Sequence, residues 1–483
     1  MQAHSSAFDS MPIAPGGEGL LGHNADFRAD RLGTLRRLSE VTAPVLRLSL
    51  PLPGIHAMVA NHPDVVEETL VDKARLFDKS DMLRFSLYPL AGEGIFTSNG
   101  ELWRRQRKLM APLFHPKALE AYAPDMVACS RRAIDRWRDG EELALAAETT
   151  RLAMAVAGKT LFDADTFTEA DDLGRALTVA LDWAGWVIGQ PIAIAHIVAR
   201  RRLQLLSEQN TGWLRDAALW AERKVRGPAV LVGARGRELA SSIALLDERV
   251  QKMIDERRRS SGEQTDLLTR LLAASDQDGT VMSDRQIRDE ILTLFVAGHE
   301  TTATGLAWTI HEACKDRRVY DEMQREADSV GDDPGAADLE KLDLTTRAFK
   351  EALRLYPPVY IFGRDANQAV TLAGYDLPRS TNVMVSPFVL HRRRGLWGDD
   401  PERFDPDRFL PEREAKRHRY AYLPFSAGPR ICLGIHFAYL EAPLVLATLM
   451  RRFRFELLEE DEAEPSATLR PRRGVRVRVH ARR

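Results

Sequence analysis

The chain has 483 residues, of which 44% are hydrophobic and 29% are charged, a composition typical of a folded protein with a large core. Its 68 basic and 70 acidic residues give a formal net charge of −2. This balance argues against a general nucleic-acid binder, so no nucleic-acid partner is expected. The three cysteines are far apart and odd in number, which argues against a disulfide framework and favours a reducing cytoplasm.

The chain is predicted to form one domain over residues 1–483, because no Gly/Ser-rich or Pro-rich linker and no internal repeat divides it. The N-terminus lacks a basic region followed by an apolar region, and no later run approaches the roughly eighteen uncharged apolar residues that a membrane span requires. We therefore expect a cytoplasmic protein without a transmembrane anchor.

Short strands are predicted towards both ends of the chain. Residues 45–60 alternate apolar and polar side chains, which predicts a β-hairpin. Residues 369–385 predict a second hairpin, and Val475, Val477 and Val479 alternate with arginines. These patterns indicate small antiparallel sheets.

Helices are predicted between these strands. Residues 61–350 place apolar side chains at helical spacing and charged side chains on the opposite face. The predicted fold is mainly α, with its small antiparallel sheets in residues 1–60 and 369–483.

The most informative predicted helix runs from Ser283 to about Cys314, roughly 48 Å at 1.5 Å per residue. Its start carries an S-x-x-Q capping box. Its middle, Ala297 to Thr302, reads AGHETT, although glycine disfavours helix and threonine hydroxyls can bond back to carbonyls and bend the axis. The segment predicts either a kink caused by packing or a groove beside a ligand, with an acid and a hydroxyl placed to deliver protons.

A single cysteine, Cys432, lies in the stretch Leu423–Gly434, LPFSAGPRICLG. Prolines and glycines exclude regular structure before it and a helical pattern follows it, so we expect a helix N-terminus that lowers the pKa of the thiol. Three uses fit: a buried structural cysteine, a nucleophile with His436 as a candidate base, or a metal ligand. A zinc site lacks companion ligands, whereas haem iron requires only one from this side.

Five residues of this stretch, Phe425, Gly428, Arg430, Cys432 and Gly434, form F-x-x-G-x-R-x-C-x-G, which resembles the haem-binding loop of the cytochrome P-450 superfamily. The AGHETT segment resembles the oxygen-binding signature of that family's long central helix. The sequence E-A-L-R resembles its E-x-x-R pair. Together the motifs follow the family's order along nearly the whole chain, and the resemblance implies the cytochrome P-450 fold, in which the long helix crosses the haem.

The resemblance implies haem b, iron protoporphyrin IX, as the cofactor, with Cys432 as its iron ligand. Glu300 and Thr301 resemble the acid and alcohol that relay protons to bound dioxygen. The remaining cofactor-binding residues implied by the motifs are Trp103, Arg107, Ala297, Arg364, Phe425, Arg430 and Gly434, with the arginines and the tryptophan directed at the propionates.

Glu351 and Arg354 can meet on one helix face. An exposed pair of this kind would contribute under about 1 kcal/mol. In the family such a pair joins a later arginine and braces the cysteine side of the haem. Pro401 to Phe404 spells the family's P-E-R-F, yet the surrounding spacing selects Arg408 as that arginine.

The resemblance also implies an apolar pocket for a hydrophobic small molecule. The same side chains could equally be core residues. The residues expected to line the pocket are Phe85, Leu87, Phe295, Val359, Ile361 and Phe362.

No flavin or nicotinamide fingerprint is visible, so electrons should come from a separate ferredoxin or flavodoxin with its reductase. A basic docking face for such a partner is expected from Arg104, Arg105, Lys108 and Arg392–Arg394. The predicted function is a monooxygenase that inserts one oxygen atom of O2. The alternatives are a peroxide-driven or isomerising haem-thiolate enzyme and a non-catalytic haem-binding sensor.

Residues 186–237 depart most from the pattern of compact bacterial members of that family, because they add apolar and basic segments. If this stretch roofs the entry channel, it could be an enlarged lid or a surface that touches a membrane or a carrier protein. A solvated loop with its own helix is the other interpretation.

Overall fold

A computed structural model describes residues 6–50, 54–163, 170–188, 190–225, 233–259, 266–273 and 282–482. Helices dominate its first two thirds, as the sequence predicted. The helices up to the central region are α1 His23–Ala29, α2 Arg31–Glu40, α3 Pro63–Glu67, α4 Asp81–Ala91, α5 Gly100–Met110, α6 Pro116–Leu119, α7 Ala123–Ile134, α8 Leu145–Phe162, α9 Ala170–Val187, α10 Pro191–Gln209, α11 Trp213–Val225, α12 Gly233–Arg259 and α13 Leu267–Ala273. The later helices are α14 Asp284–His299, α15 Thr301–Lys315, α16 Arg317–Val330, α17 Asp343–Leu355, α18 Pro387–Leu390, α19 Arg394–Trp397, α20 Pro411–Glu414 and α21 Ile435–Arg452.

The strands form small sheets. They are β1 Ser6–Ala7, β2 Val45–Leu48, β3 Ala57–Ala60, β4 Phe77–Lys79, β5 Glu142–Ala144, β6 Phe362–Ala366, β7 Val370–Leu372, β8 Tyr375–Leu377, β9 Asn382–Val385, β10 Phe453–Leu457, β11 Ala463–Pro465, β12 Leu469–Pro471 and β13 Arg476–Ala481. Their orders are β2-β3-β9-β6-β4, β1-β8-β7, β10-β13-β5 and β11-β12. The pairs β3·β9 and β1·β8 are parallel and the others antiparallel, so the sheets are not all antiparallel as predicted.

The two predicted hairpins fared differently. The first is confirmed, because β2 and β3 pair antiparallel with Val45 opposite Ala60. The second holds for β7 and β8 alone, since β9 leaves that sheet and pairs with β3 and β6. Its true neighbour β3 is distant in sequence, and a local pattern of apolar residues cannot reveal such a partner.

The predicted central helix starts as expected and is interrupted in its middle. The Ser283 hydroxyl accepts from the Gln286 N–H and the Gln286 side chain accepts from the Ser283 N–H, which completes the capping box. The helix breaks at Glu300, between α14 and α15. Thr301 Oγ1 donates to Ala297 O at 2.5 Å, the back-bonding that bends helices.

Packing around these two helices fixes where the site lies. Helix α8 packs on both α14 and α15, and α15 also packs on α17. Gly305 permits the contact between α15 and α17, because a Cβ there would lie 2.7 Å from Phe349 Cε2. Within the described ranges, no helix is both long and apolar enough to cross a bilayer.

Candidate active site

The Cys432 loop is held by backbone contacts that demand glycine. Gly428 has φ +68°, and a Cβ there would lie 1.9 Å from the Leu70 carbonyl oxygen. The loop then turns so that the Cys432 N–H donates to Phe425 O at 3.0 Å. Helix α21 begins at Ile435 with Gly434 as its N-cap, which leaves Cys432 just outside the helix.

The predicted lowering of the pKa of Cys432 is wrong. The residue is exposed to solvent, yet protein atoms closely surround its side chain. Burial raises the pKa of the thiol, and the Gly434 backbone N–H and the Arg107 guanidinium offset only part of that effect. The desolvation of the thiolate therefore outweighs the helix N-terminus, and a bound metal cation would favour the thiolate.

Two contacts attach the Cys432 loop to its surroundings. Arg107 of α5 donates to Ile431 O at 2.7 Å, so α5 lies directly against the loop. Phe425 packs edge-on against Tyr439 of α21, with 5.2 Å between ring centroids.

A cluster of cations surrounds Trp103 beside this loop. The Arg430 guanidinium carbon lies 4.8 Å from the Trp103 ring centroid and Lys79 Nζ lies 5.7 Å from it. Burial, together with Arg430 and Arg364, lowers the pKa of Lys79 to about 6. Burial and Arg430 lower the pKa of Arg364 to about 9. The structure thus brings Trp103, Arg364 and Arg430 together, as the motifs implied.

This cluster fits the anionic side chains of haem. Arg430 donates to Asp78 at 3.2 Å and to Ala74 O at 3.1 Å, yet its buried Nε has no hydrogen-bond partner among the described residues. Burial and then mutual repulsion disfavour the protonated forms of Lys79 and Arg364, and two carboxylates beside them would favour the protonated forms. Together with one accessible thiol, the donor set matches haem with its two propionates.

Glu300 and Thr301 lie at the helix break. Ala297 and Thr301 share a helix face that is at least partly accessible, whereas Glu300 is only 9% exposed. Burial raises the pKa of Glu300, while the Thr468 hydroxyl and Arg470 lower it in part. In the part of the chain that the structure describes, no donor reaches Glu300 Oε2.

Glu300 is connected to the surface through Arg470 of β12. Arg470 Nη1 lies 4.0 Å from Glu300 Oε1 and 2.8 Å from Asp182 Oδ1. Its Nε lies 3.0 Å from Glu464 Oε2. Asp182 and Glu464 are 45% and 41% exposed, so this chain of charged groups reaches from bulk water to the buried carboxyl group.

Glu351 and Arg354 form a buried ion pair, unlike the exposed pair that a typical E-x-x-R sequence would form. Arg354 donates twice to Glu351, at 2.6 and 2.7 Å, and both side chains are fully buried. Arg408 Nε lies 3.4 Å from Glu351 Oε1. The Arg403 side chain of the literal P-E-R-F is exposed, so Arg408 is the arginine that contacts the pair.

His391 links this brace to the cysteine loop, a residue that the sequence did not single out. Its Nδ1–H donates to Arg354 O at 3.0 Å, and its Nε2 accepts from the Leu423 N–H at 2.9 Å. Burial and Arg354 lower its pKa, which keeps the ring neutral in the tautomer that both bonds require.

Among the predicted pocket residues, Phe295 packs against a neighbouring helix. Its ring centroid lies 4.8 Å from that of Phe162 in α8, on the helix side that also carries Gly298, whose Cβ would meet Ala157. Positions 295 and 297 differ by two residues and face different sides of a helix, and the place of Phe295 in the pocket stays a prediction.

The other predicted pocket residues remain candidates. The ring centroids of Phe85 of α4 and His196 of α10 lie 4.4 Å apart in a tilted arrangement, and Phe85 lines a small cavity between these helices. Leu87 is buried in the main core cluster, while Val359, Ile361 and Phe362 are half-buried.

The residues of the predicted basic docking face differ in their exposure. Arg104 and Lys108 are exposed on α5 and Arg105 is half-buried. Arg392 is 5% exposed and donates to Leu355 O and Glu402. Its guanidinium also lies over the Phe388 ring, so it supports the fold instead of a partner surface.

A second buried carboxyl group near the helix break was also missed. Glu441 of α21 is 2% exposed, and burial raises its pKa to about 8 against a smaller effect of the Thr302 hydroxyl. A glutamate within an apolar helical run, LEAPLVL, was the available signal.

Comparisons with known proteins agree with this geometry. The family model described as Cytochrome P450 matches residues 18–195 and 224–476. Cyclooctatin synthase of Streptomyces melanosporofaciens is 32% identical over 465 residues, 95% of this chain and 92% of that protein. Pentalenene oxygenase of Streptomyces avermitilis is 30% identical over 474 residues, 97% of each. Cyclooctat-9-en-7-ol 5-monooxygenase of Streptomyces melanosporofaciens is 32% identical over 462 residues, 94% of this chain and 92% of that protein.

Proposed function

The chain belongs to the cytochrome P450 family and is a haem monooxygenase, and from this premise we propose that it oxygenates a cyclic terpene-like hydrocarbon or its alcohol. The observation that carries the site assignment is the accessible Cys432 thiol beside the buried cations of the Trp103 cluster. An oxygen atom of O2 enters the substrate, and a separate protein supplies the electrons.

Cys432 would hold the iron, and Arg430, Arg364, Lys79 and Trp103 would hold the propionates. Bound haem supplies dioxygen activation, which an electron-rich thiolate favours. Gly428 keeps the loop pressed against Leu70, so that the thiol stays at a fixed position in the site.

Glu300 would hold a proton at Oε2, because burial raises its pKa and no donor among the described residues occupies that atom. Arg470 holds its other oxygen near the exposed carboxylate of Asp182, and the proton would be renewed by water at that end, because a guanidinium does not release one itself. Thr301 Oγ1 would pass the proton on after rotating away from Ala297 O.

The substrate class rests on the names of relatives and on the lining. Pentalenene oxygenase and the cyclooctat-9-en-7-ol enzyme carry terpene-derived names, and half-buried apolar side chains at Val359, Ile361 and Phe362 suit such a molecule. Apolar walls exclude water and hold a hydrocarbon without a specific polar contact.

Electrons would come from an acidic ferredoxin or flavodoxin. Arg104 and Lys108 are exposed on α5, the helix that Arg107 ties to the Cys432 loop. A partner on this face would therefore lie close to the thiolate side of the site. The cytoplasmic location stays a prediction from the three cysteines, all of which are free thiols.

The reduced carbon monoxide spectrum tests the assignment. The haem-loaded protein should give the red-shifted band of a thiolate adduct, Cys432→Ala should lose it, and Cys314→Ala should retain it. Retention of the band by Cys432→Ala would refute the ligand assignment.

Turnover separates the alternatives. With a ferredoxin, its reductase and isotopically heavy dioxygen, a terpene product should carry one heavy oxygen atom. Product formation with peroxide alone would instead support the peroxide-driven alternative, and binding without turnover of any terpene screened would support the sensor.

A further inference from the structure

The connection between α4 and α5, residues 92–98, lies directly against helix α14. Glu290 Oε2 of that helix accepts from the Ile95 N–H at 2.9 Å. The close approach requires a glycine at the next contact, because a Cβ at Gly94 would lie 2.2 Å from Thr293 Oγ1. We call residues 92–98 the α4–α5 segment, and one of its peptide groups is thus held by a carboxyl group of α14.

Lys79 of β4 holds the same segment from another direction. Its Nζ donates to Ile95 O at 2.7 Å and to Ser98 O at 2.6 Å. Within the described residues these are the hydrogen bonds of Nζ, and they use both N–H groups of a neutral amine. A protonated amine has three N–H groups, so protonation of Lys79 would add one that is available to an anion beside Trp103, whose ring centroid lies 5.7 Å from Nζ.

Glu290 is completely buried, and its surroundings favour the neutral carboxyl group. In the part of the chain that the structure describes, no donor reaches Glu290 Oε1, and a buried charge without partners is costly. Burial raises the pKa of Glu290 to about 8, and Asp289 adds to this effect, while the Ile95 N–H and Lys79 offset part of it. Burial is also the main reason why the pKa of Lys79 falls to about 6. Without an anion beside Lys79, both side chains are therefore neutral near neutral pH.

A haem propionate placed beside Lys79 would reverse this state. It would raise the pKa of Lys79, because an opposite charge favours the protonated amine. The resulting ammonium group would lower the pKa of Glu290, with which it interacts electrostatically. The other charged groups that face the two side chains are Arg84, Arg364 and Arg430 for Lys79, and Asp289, itself paired with Arg288, for Glu290.

We propose that Glu290 is a positioning residue for haem loading, which gives up its proton as Lys79 gains one beside a propionate and then holds the α4–α5 segment as a carboxylate. The O–H bond of Glu290 breaks and an N–H bond forms on Lys79, so two neutral groups become an ion pair and no net proton comes from solvent. A carboxylate accepts a stronger hydrogen bond from the Ile95 N–H than a neutral carboxyl group does. Haem loading would therefore tighten the segment that follows α4, the helix of the candidate pocket residues Phe85 and Leu87. The proposal rests on the proposed haem site.

The pH dependence of haem affinity tests this proposal. Haem partitions at equilibrium between the haem-loaded, full-length protein and apomyoglobin, and the pH dependence of the acceptor is the same for every variant. In the wild type the proton gained by Lys79 comes from Glu290, whereas in Glu290→Gln it must come from solvent. Each proton taken up on binding makes affinity fall about tenfold per pH unit as pH rises. Between about pH 6.5 and 8, the affinity of Glu290→Gln should therefore fall about tenfold more per pH unit than that of the wild type.

Two further variants separate this proton exchange from other effects. Glu93→Gln removes a carboxyl group from the same segment, 3.7 Å from Arg84, and its pH dependence should match that of the wild type. In Glu290→Gln/Lys79→Met no lysine remains to take up the proton, so the additional pH dependence should disappear. Equal pH dependence of the wild type and Glu290→Gln would overturn the proposal.

Infrared difference spectroscopy of the wild type provides a measurement that needs no variant. When haem leaves protein labelled with carbon-13 glutamate near neutral pH, a protonated carboxyl band of the labelled side chains should appear. Absence of this band, or the same band from Glu290→Gln, would overturn the proposal. The carbon monoxide spectrum reports the Cys432 ligand separately, so failure of the proton exchange leaves the proposed function intact.

Discussion

At the scale of single residues, burial decides what each charged group does. Glu351 and Arg354 form a pair at a spacing that usually gives an exposed ion pair, yet both are fully buried. Arg354 also donates to His391 O and Pro401 O, so its donors are satisfied as burial requires. His391 also accepts a hydrogen bond from the Leu423 N–H, which connects the buried pair to the start of the cysteine loop.

Glu441 should make stability fall as pH rises. Burial raises its folded-state pKa to about 8, whereas the pKa of an unfolded glutamate is about 4.3. The folded protein therefore binds more protons between these values, and stability present below the lower pKa is lost as pH approaches the upper one. Glu441→Gln, which stays neutral, should be more stable than the wild type by roughly 1–3 kcal/mol at about pH 9.

Urea unfolding of the two proteins at about pH 5, 7 and 9 measures this difference. The advantage of Glu441→Gln should shrink towards pH 5, where the wild-type side chain is also protonated in the folded state. Parallel pH profiles for the two proteins would mean that Glu441 is ionised within the fold.

At the scale of elements, two glycines of the central helices serve different contacts. A Cβ at Gly305 would lie 2.7 Å from Phe349 Cε2 and 3.2 Å from Leu353 Cδ2, so Gly305→Ala should separate α15 from α17 and destabilise the fold by about 1–3 kcal/mol. A Cβ at Gly298 would lie 3.3 Å from Ala157 Cβ. There the helical preference for alanine, up to about 1 kcal/mol, offsets a mild contact.

Thermal unfolding of Gly305→Ala and Gly298→Ala side by side checks this difference. The first should melt several degrees lower than the wild type, by about 2–4 °C per kcal/mol for a large domain, and the second should melt close to it. A Gly305→Ala variant as stable as the wild type would show that Phe349 moves aside without cost.

Helices α14 and α15 show which features of the fold could be predicted from the sequence. The capping box at Ser283 and the weak centre are local features, and both were predicted correctly. The break at Glu300 was not predicted, although the choice of a kink was left open. It coincides with the approach of Glu300 to Arg470, on a strand far along the chain. Arg392 was predicted to be exposed for a similar reason, because basic character does not specify which neighbour a side chain meets.

Site residues within short motifs were easier to predict than those brought together by the fold. Cys432, Arg430 and Gly428 come from one loop whose backbone demands glycine, so the sequence pattern carries their geometry. Lys79 joins them from β4 and reaches Trp103 only after the sheet and α5 pack together. No local signal marks such a lysine, because the burial that lowers its pKa most, and the neighbouring Arg430 and Arg364, come from parts of the chain distant in sequence.

At the scale of the whole molecule, helix α5 would connect the protein surface to the site. It carries the exposed cations Arg104 and Lys108 and contacts the Cys432 loop through Arg107. A protein bound at α5 would therefore deliver electrons close to the Cys432 thiol.

Charge reversal on α5 should therefore slow electron transfer. Arg104→Glu/Lys108→Glu should reduce the rate of haem reduction by an acidic ferredoxin about tenfold at low salt, and less at high salt where attraction is screened. Arg317→Glu is the control, because Arg317 is 93% exposed on α16 and not on α5. Stopped-flow reduction monitored by carbon monoxide binding gives the rate. If the α5 variant and the control are reduced equally fast at every salt concentration, α5 is not the docking face and the electrons enter elsewhere.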